Sequence, residues 1–342
     1  CENMSERETQ DTQEKPSDYY FDSYSHPGIH EEMLRDEIRT LAYQDAMRTL
    51  GDSGKLKGKV VLDVGCGTGI ICLMAAAAGA EHVYGVDNSG ILSVAREIIK
   101  LNGYEHKITL IKGKIEEIEL PVEQVDVIVS EWMGYACLYE SMLQSVLIAR
   151  DKYLRPETGI MMPDRCQMLV CAAEDRAMRE SKIHCWDDVY GFDYSPMKAL
   201  VAQEPVVDVI GNDQVISDHA VVLDWDLQEI GVDESKSMMA EVAIKFNNDG
   251  NNVHIMDSIC VHFNTSFTHG NDCIVLDTSP EGGETHWKQT LLLLPQRVVV
   301  KARDSAHIRL SMGQNTHNVR DWDMDLTVSV GDNSLHKVYT MR

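Results

Sequence analysis

The chain has 342 residues, of which 44% are apolar, and it carries 31 basic against 55 acidic residues for a formal net charge of −24. This length exceeds that of one ordinary domain and predicts two. No stretch approaches the roughly 20 consecutive apolar residues of a membrane span, so we expect no membrane partner. The negative charge disfavours direct binding of nucleic acid and favours basic protein partners. The alternative is that the charge serves only to keep the protein soluble.

The polar N-terminus comes first. Residues 1–18 are dense in Glu, Asp, Gln, Ser and Thr, which predicts a disordered acidic tail. Between residues 29 and 50 the apolar positions recur at helical spacing, so we predict helices there.

An alternation of short β-branched runs with helical segments fills residues 59–154, and it predicts a parallel sheet with crossover helices. The predicted strands are 59–64, 82–86, 107–112 and 125–130, and the predicted helices are 70–78, 91–101 and 139–153. Period-two runs follow at 167–172, 259–267, 298–312 and 323–330, which predict antiparallel strands. A β-rich half is therefore expected after an α/β half.

The nine cysteines form no Cys-x-x-Cys pair and do not combine with histidines at zinc-ligand spacing, so no metal site is expected. This usage predicts reduced thiols, which are typical of cytoplasmic and nuclear proteins. We expect a cytoplasmic location, with the nucleus as an addition.

A glycine loop, Gly65-Cys66-Gly67-Thr68-Gly69, joins the first predicted strand to a helix, and acidic residues end the next two strand regions at Asp87 and Glu116. Dinucleotide sites typically show GxGxxG, whereas the spacing here is GxGxG. Asp87 is placed to accept hydrogen bonds from ribose hydroxyls, and Glu116 from an adenine amine, although Glu116 is also an ordinary acid for a helix start. The pattern fits S-adenosylmethionine better than NAD.

Two glutamates, Glu131 and Glu140, bracket a loop that follows the last predicted strand of the parallel sheet. Two carboxylates in one pocket would suit a guanidinium, because its planar fork of donors can bind both at once.

Four motifs occur in order along the chain: Tyr20-Phe21-Asp22-Ser23-Tyr24, the glycine loop, the loop from Glu131 to Glu140, and Thr285-His286-Trp287. Together they resemble the protein arginine N-methyltransferases, most closely the type I members, from about residue 18 to the C-terminus. The resemblance implies an α/β plus β fold, in which a Rossmann-like class I methyltransferase domain precedes a β-barrel with an inserted dimerisation arm. It places the tail at 1–18, a helical lid over the cofactor at 19–50, the S-adenosylmethionine-binding domain at 51–163 and the barrel at 164–342, with the arm at about 186–212.

The resemblance also implies roles for individual residues. Catalytic roles fall to Glu131, Glu140, His286 and Asp36. Cofactor-binding roles fall to Tyr20, Tyr24, His30, Met33, Arg39, Asp63, Gly65, Gly67, Thr68, Gly69, Asp87, Ile115, Glu116, Glu131 and Met142, with Arg39 holding the methionyl carboxylate. Substrate-binding roles fall to Glu131, Met133, Tyr135, Glu140, Met142, His286 and Trp287. Asp87 departs from the family, whose close members carry glutamate there; we expect altered affinity for the cofactor rather than loss of binding.

A guanidinium has a pKa above 12, so it cannot be deprotonated beforehand, and the two glutamates are expected to act by aiming one nitrogen at the methyl donor. Repulsion between them should raise the pKa of one. Either His286 with Asp36, or Glu140 itself, would take the proton released. The expected substrates are Arg/Gly-rich basic proteins, such as RNA-binding proteins and histones, and the products are monomethyl and asymmetric dimethylarginine.

The resemblance implies a dimer through the arm, formed with a second copy or with a related chain. Three other functions compete: a catalytically silent cofactor-binding scaffold that recruits basic proteins, an NAD-dependent dehydrogenase, and a nucleic-acid methyltransferase. Intact Glu131, Glu140, His286 and Trp287 disfavour the scaffold, and the glycine spacing disfavours the dehydrogenase. The net charge disfavours the nucleic-acid enzyme.

Overall fold

A computed structural model describes residues 16–247, 253–269 and 272–342. Three helices come first: α1 (Pro16–Ser23), α2 (Pro27–Arg35) and α3 (Glu37–Asp52). Helix α1 begins inside the tail that was predicted to be disordered over 1–18, so that prediction is wrong for 16–18, and residues 1–15 lie outside the described ranges. Asp36 separates α2 from α3 and caps α3, because its carboxylate accepts from the Arg39 amide.

The parallel sheet has strand order β3-β2-β1-β4-β5. Its elements in chain order are β1 (Val60–Val64), α4 (Ile70–Ala77), β2 (His82–Asp87), α5 (Leu92–Leu101), β3 (Ile108–Lys112), β4 (Val127–Val129), α6 (Met142–Tyr153) and β5 (Ile160–Met162). The chain order reverses between β1 and β4, and the carboxyl ends beside such a reversal are where open α/β sheets bind ligands. The glycine loop follows β1 there, and Glu131 follows β4 two residues on.

Two predictions for this sheet need correction. The strand predicted at 125–130 is only Val127–Val129, while Val125 forms an isolated bridge to Leu154. The helix predicted at 139–153 begins at Met142, because Glu140 and Ser141 have φ angles of 74° and 58°, which an α-helix cannot contain.

The second half forms two antiparallel sheets, as its period-two pattern predicts. Its helices are α7 (Arg176–Lys182) and α8 (Pro196–Val201), and its strands are β6 (Arg165–Ala173), β7 (Val206–Asp208), β8 (Ala220–Asp226), β9 (Ser237–Lys245), β10 (Val253–His269), β11 (Asp272–Asp277), β12 (Gln289–Lys301), β13 (Ser305–Gln314), β14 (Trp322–Val330) and β15 (Asn333–Met341). One sheet runs β7-β12-β10-β6-β8 with β11 beside β10, and the other runs β15-β14-β13-β9. The run predicted as one strand at 298–312 is two strands that meet at a turn, where Arg303 has a φ of 71°.

The two halves share one continuous apolar core. Tyr43 of α3 packs edge-on against Phe267 of β10, with ring centroids 4.9 Å apart, which ties the N-terminal helices to the antiparallel half. Within the described ranges, no helix has the length and apolar character needed to cross a membrane.

The segment between α7 and β7, which contains the short helix α8, exposes large apolar side chains. Tyr190 is 98% exposed, Phe192 68% and Tyr194 46%. This segment overlaps the predicted arm at about 186–212, of which Val206–Asp208 form β7 and pair with β12. Its role in dimerisation stays a prediction.

Candidate active site

A cavity opens at the carboxyl edge of the parallel sheet, with α1 and α2 over it. Most of the predicted site residues line it. They are Tyr20, Tyr24, His30, Met33, Arg39, Gly65, Gly67, Thr68, Asp87, Ile115, Glu116, Glu131, Met133, Glu140, Met142 and His286.

Five predicted residues lie behind this lining. Asp36 and Trp287 support it, since Asp36 binds His286 and the Trp287 indole donates to the Met133 carbonyl at 2.7 Å. Gly69 caps α4, and Asp63 is fully buried beneath the glycine loop. Tyr135 is not among the lining residues and stacks on Tyr139, with ring centroids 6.2 Å apart; its role in substrate binding stays a prediction.

The glycine loop requires its glycines. Gly65, Gly67 and Gly69 have φ angles of 75°, 51° and 81°, a region that other residues rarely adopt. A side chain at Gly65 would overlap Met142, and a Cβ at Gly67 would lie 3.3 Å from His30. Met142 and His30 therefore lie so close to the loop that side chains at Gly65 and Gly67 would crowd them.

Asp87 and Glu116 supply acceptors at the rim. Asp87 organises the glycine loop directly: its Oδ2 accepts from the Gly67 amide at 2.9 Å and its Oδ1 from the Ser89 amide at 2.7 Å. Glu116 Oε1 accepts from the Ser145 hydroxyl. These groups suit the hydroxyls and amine of an adenosine, and their charge would repel a pyrophosphate.

Glu131 is already paired within the chain. Arg39 donates to its Oε2 through Nε at 3.0 Å and Nη2 at 2.8 Å, and both side chains are 8% exposed. Arg39 Nη1 also donates to the Met33 carbonyl at 3.2 Å. This pairing fixes the Glu131 carboxylate and leaves Arg39 on the cavity wall, where it can also meet an anionic group of a ligand.

Glu140 lies on a strained loop. Ala136, Cys137, Glu140 and Ser141 all have positive φ angles, between 47° and 74°, which cost about 1–3 kcal/mol each. Burial raises the pKa of Glu140, and the charge of Glu131 adds to this shift, while a hydrogen bond from Tyr24 Oη at 2.7 Å opposes it. The sequence predicted repulsion as the cause, but burial is the larger one.

The antiparallel half holds this loop in place. Arg320 Nη1 donates to the Glu140 carbonyl at 2.6 Å, and the Glu140 amide donates to the Arg320 carbonyl at 3.0 Å. Ser141 Oγ accepts from the Trp322 indole at 2.9 Å. The Arg320 guanidinium also stacks 3.5 Å from the centroid of Tyr20, and Arg320 lines the cavity. Sequence reasoning missed Arg320, because nothing in its local pattern connects it with a loop 180 residues away.

His286, which lines the cavity and is partly buried, is paired with the buried Asp36. Asp36 Oδ2 accepts from the His286 amide at 2.8 Å and lies 2.7 Å from His286 Nδ1. Burial by itself would raise the pKa of Asp36, but the hydrogen bonds from His286 and the Arg39 amide outweigh it and lower that pKa. Trp287 packs on the imidazole at 3.9 Å. An ionised Asp36 therefore holds the His286 ring in one orientation.

The residues present fit S-adenosylmethionine. The close glycine loop, the two rim carboxylates and Arg39 provide the contacts expected for a nucleoside that carries an amino acid. Beneath the loop, burial raises the pKa of Asp63 to about 7, and its Oδ1 has no hydrogen-bond partner among the described residues. Such an orphaned acceptor is typical of ligand sites.

Comparisons with known proteins agree with this geometry. Residues 55–196 match a family model described as a methyltransferase domain, and residues 164–333 match the arginine methyltransferase oligomerization subdomain. The chain is 45% identical to protein arginine N-methyltransferase 1 of Dictyostelium discoideum, over 83% of this chain and 81% of that protein. It is 44% identical to the protein of the same name in Schizosaccharomyces pombe, over 91% of this chain and 89% of that one.

A solved structure described as the Trypanosoma brucei PRMT1 enzyme-prozyme heterotetrameric complex with AdoHcy has the same fold. Its TM-score is 0.88 at 41% identity, and the match covers 94% of this chain and 100% of that one. The sequence motifs, the cavity and these similarities lead to one conclusion. The chain belongs to the protein arginine N-methyltransferase family.

Proposed function

We propose that this arginine methyltransferase is a type I enzyme, which forms ω-N-monomethylarginine and asymmetric dimethylarginine on Arg/Gly-rich basic proteins. One observation carries the proposal: Glu131 and Glu140 line the same cavity as the glycine loop and Asp87. S-adenosylmethionine, when bound, supplies the methyl group. The glycine loop, Asp87, Glu116 and Arg39 are the groups that would hold it.

The two carboxylates have different tasks in this proposal. Glu131 is fixed and largely neutralised by Arg39, so it serves as a rigid acceptor. Glu140 is partly buried, and its raised pKa makes it hold a proton more readily than a free carboxyl group until a cation arrives. An incoming guanidinium favours ionised Glu140, and the two acceptors then turn one nitrogen toward the methyl donor. Catalysis then depends on positioning and charge stabilisation, since no side chain can deprotonate the arginine in advance.

The leaving proton has two candidate acceptors. Ionised Asp36 accepts from His286 Nδ1, which leaves His286 Nε2 as the ring nitrogen that can take a proton. Glu140 is the alternative, because a carboxylate with a raised pKa is a better base. A modest base suffices for either route, as the nitrogen becomes acidic only once the methyl group bonds to it.

Product type rests on the walls of the arginine site. Met33, Met142 and His286 line the cavity, and the His286 ring packs against Trp287. The chain resembles the type I members at these positions, and this resemblance supports asymmetric rather than symmetric dimethylation.

Charge supports the substrate class. A formal net charge of −24 attracts basic chains such as Gly-Arg-rich segments of RNA-binding proteins and histone tails, and this attraction weakens with salt. We also propose a cytoplasmic location with access to the nucleus, where such substrates and reduced cysteines are both found.

Assembly is part of the proposal. The exposed aromatic residues Tyr190, Phe192 and Tyr194 would dock on a second copy or on a related chain, as the apolar surface of the predicted arm requires. The similar Trypanosoma brucei structure is described as an enzyme-prozyme heterotetramer, which makes a related partner a specific alternative. Light scattering of the chain alone, paired with its methylation rate, separates the two: an active dimer indicates self-association, and an inactive chain indicates an obligate partner.

The direct test of the site is Glu140→Gln, which keeps the shape of the side chain and removes its charge. We expect S-adenosylmethionine affinity to stay within a few-fold and turnover on a Gly-Arg-rich peptide to fall by on the order of 10² or more, as for other preorganised charged groups. Glu117→Gln, at an exposed residue outside the cavity, is the matched control and should keep full activity. Near-normal turnover in Glu140→Gln would show that the two-carboxylate mechanism is wrong.

A further inference from the structure

A second group of reactive side chains lies in the antiparallel half, on the larger sheet. Cys171 of β6 is directly opposite Cys260 of β10 in the strand register. His262 is two residues farther along β10 and so points to the same face as Cys260. His219 directly precedes β8, the strand beside β6. Three neighbouring strand regions thus bring two thiols and two imidazoles together.

The distances within this cluster are short. One nitrogen of each histidine and the Cys171 sulfur all lie within 4.8 Å of one another. His219 Nδ1 and His262 Nε2 are 2.8 Å apart. In tetrahedral zinc sites, bond lengths of 2.0–2.3 Å place neighbouring ligand atoms roughly 3.3–3.8 Å apart. Small side-chain rotations would therefore bring these three atoms to zinc geometry, and Cys260, directly opposite Cys171 in the strand register, offers a fourth ligand.

Burial and unmet hydrogen bonding also point to a ligand. Cys171 and Cys260 are fully buried and His262 is 2% exposed. The second nitrogen of His262, Nδ1, is buried and has no hydrogen-bond partner among the described residues. The protein's own groups thus leave this ring incompletely satisfied.

The surroundings resemble the outer shell of a metal site. Glu281 Oε1 lies 3.4 Å from His219 Nε2, so this carboxylate can accept the proton of the ring nitrogen that faces away from the cluster. Histidine ligands of zinc usually donate their other N–H to such a carboxylate, which orients the ring. His219 is 25% exposed and Glu281 47%, which gives an ion a path from solvent.

We propose that Cys171, Cys260, His219 and His262 bind one Zn²⁺ ion, apart from the active-site cavity. Two thiolates and two imidazoles are a typical ligand set for structural zinc. The spacing rule applied to the sequence missed this set, because its members come from separate strands rather than from one short motif. The ion would link β6, β8 and β10, and through Glu281 it would also hold the segment that leads to His286.

The test uses the purified full chain under reducing conditions, stripped with a chelator and then titrated with Zn²⁺ alone. We expect one zinc per chain and a higher melting temperature with zinc than without it. His219→Ala should weaken zinc affinity by at least about 100-fold, since even loss of an outer-shell partner typically costs 10–100-fold. Glu281→Gln should cost about 10-fold.

Cobalt substitution identifies the donor atoms independently. Co²⁺ bound by the wild type should show thiolate charge-transfer absorption, and Cys171→Ser should reduce it. Cys273→Ser and His336→Ala, at exposed positions on other strands, are the matched controls and should bind as the wild type does. If Cys171→Ser fails to fold, the partly exposed His219 and Glu281 variants still decide the matter.

Two results would overturn the proposal. One is a wild-type chain that takes up no zinc above background after reconstitution. The other is equal zinc binding and an equal gain in melting temperature in the wild type, His219→Ala and Glu281→Gln. Neither readout depends on methyl transfer, so the zinc site stands or falls independently of the proposed function.

Discussion

The hydrogen bond from Tyr24 to Glu140 should set the pH at which the enzyme becomes active. Tyr24 Oη donates to Glu140 Oε2 at 2.7 Å, and this bond opposes the rise in the pKa of Glu140 that burial causes. Tyr24→Phe removes the donor, so the pKa of Glu140 should rise further. A hydrogen bond to a charged group contributes about 1.5–3 kcal/mol, and one pKa unit corresponds to about 1.4 kcal/mol, so the shift should be about 1–2 units.

The assay is the pH dependence of kcat/KM for a Gly-Arg-rich peptide, since that ratio reports ionisation of the free enzyme. Activity needs ionised Glu140, so the acidic limb of the pH profile should move to higher pH in Tyr24→Phe. On the alkaline side of the profile, the rate of the variant should recover. Tyr104→Phe, at a tyrosine outside the cavity lining, is the control and should leave the profile in place. An unmoved acidic limb in an active Tyr24→Phe enzyme would refute this account of Glu140.

Three further substitutions test the supporting contacts. Arg39→Lys replaces two hydrogen bonds to Glu131 with a point charge, so we expect weaker cofactor binding by calorimetry and at least about tenfold lower turnover; unchanged values would contradict the role of that pair. Asp36→Asn keeps the helix cap but removes the charge. Above about pH 4, the unfolding free energy of the wild type should therefore be about 1.5–3 kcal/mol larger than that of the variant. That difference should shrink as the pH falls through the lowered pKa of Asp36, and a difference independent of pH would argue against an ionised Asp36 that accepts from His286. Gly65→Ala introduces a side chain at a φ of 75°, and cofactor binding should be largely lost; retained affinity would show that the loop is not tightly constrained.

Local patterns were enough to predict much of the fold and part of the site. The glycine loop, Asp87 and the helix at α5 each follow from spacing over a few residues, since hydrophobic period and turn chemistry are local properties. The roles of Met33 and His286 came from the resemblance, because neither residue is informative alone.

Other features depend on contacts between distant segments, which spacing does not show. Arg320 contacts the Glu140 loop from the turn before β14. Helix α6 begins only at Met142 because Glu140 and Ser141 have positive φ angles, and the contact with Arg320 helps to stabilise that backbone conformation. The positive φ angles of Ala136 and Cys137 likewise follow from the packing of the loop and not from a local sequence pattern. The cluster around Cys171 was missed for the same reason.

The most direct test of the central claim is the chemical identity of the product. The purified enzyme, with its partner chain if one is required, is incubated with S-adenosylmethionine and a Gly-Arg-rich peptide, and the peptide is analysed by mass spectrometry that separates the dimethylarginine isomers. The paired carboxylates at Glu131 and Glu140 predict methylation of arginine, and the resemblance of Met33, Met142 and Thr285-His286-Trp287 to the type I members predicts monomethylarginine followed by asymmetric dimethylarginine. Symmetric dimethylarginine, or methyl transfer to lysine instead of arginine, would contradict the account.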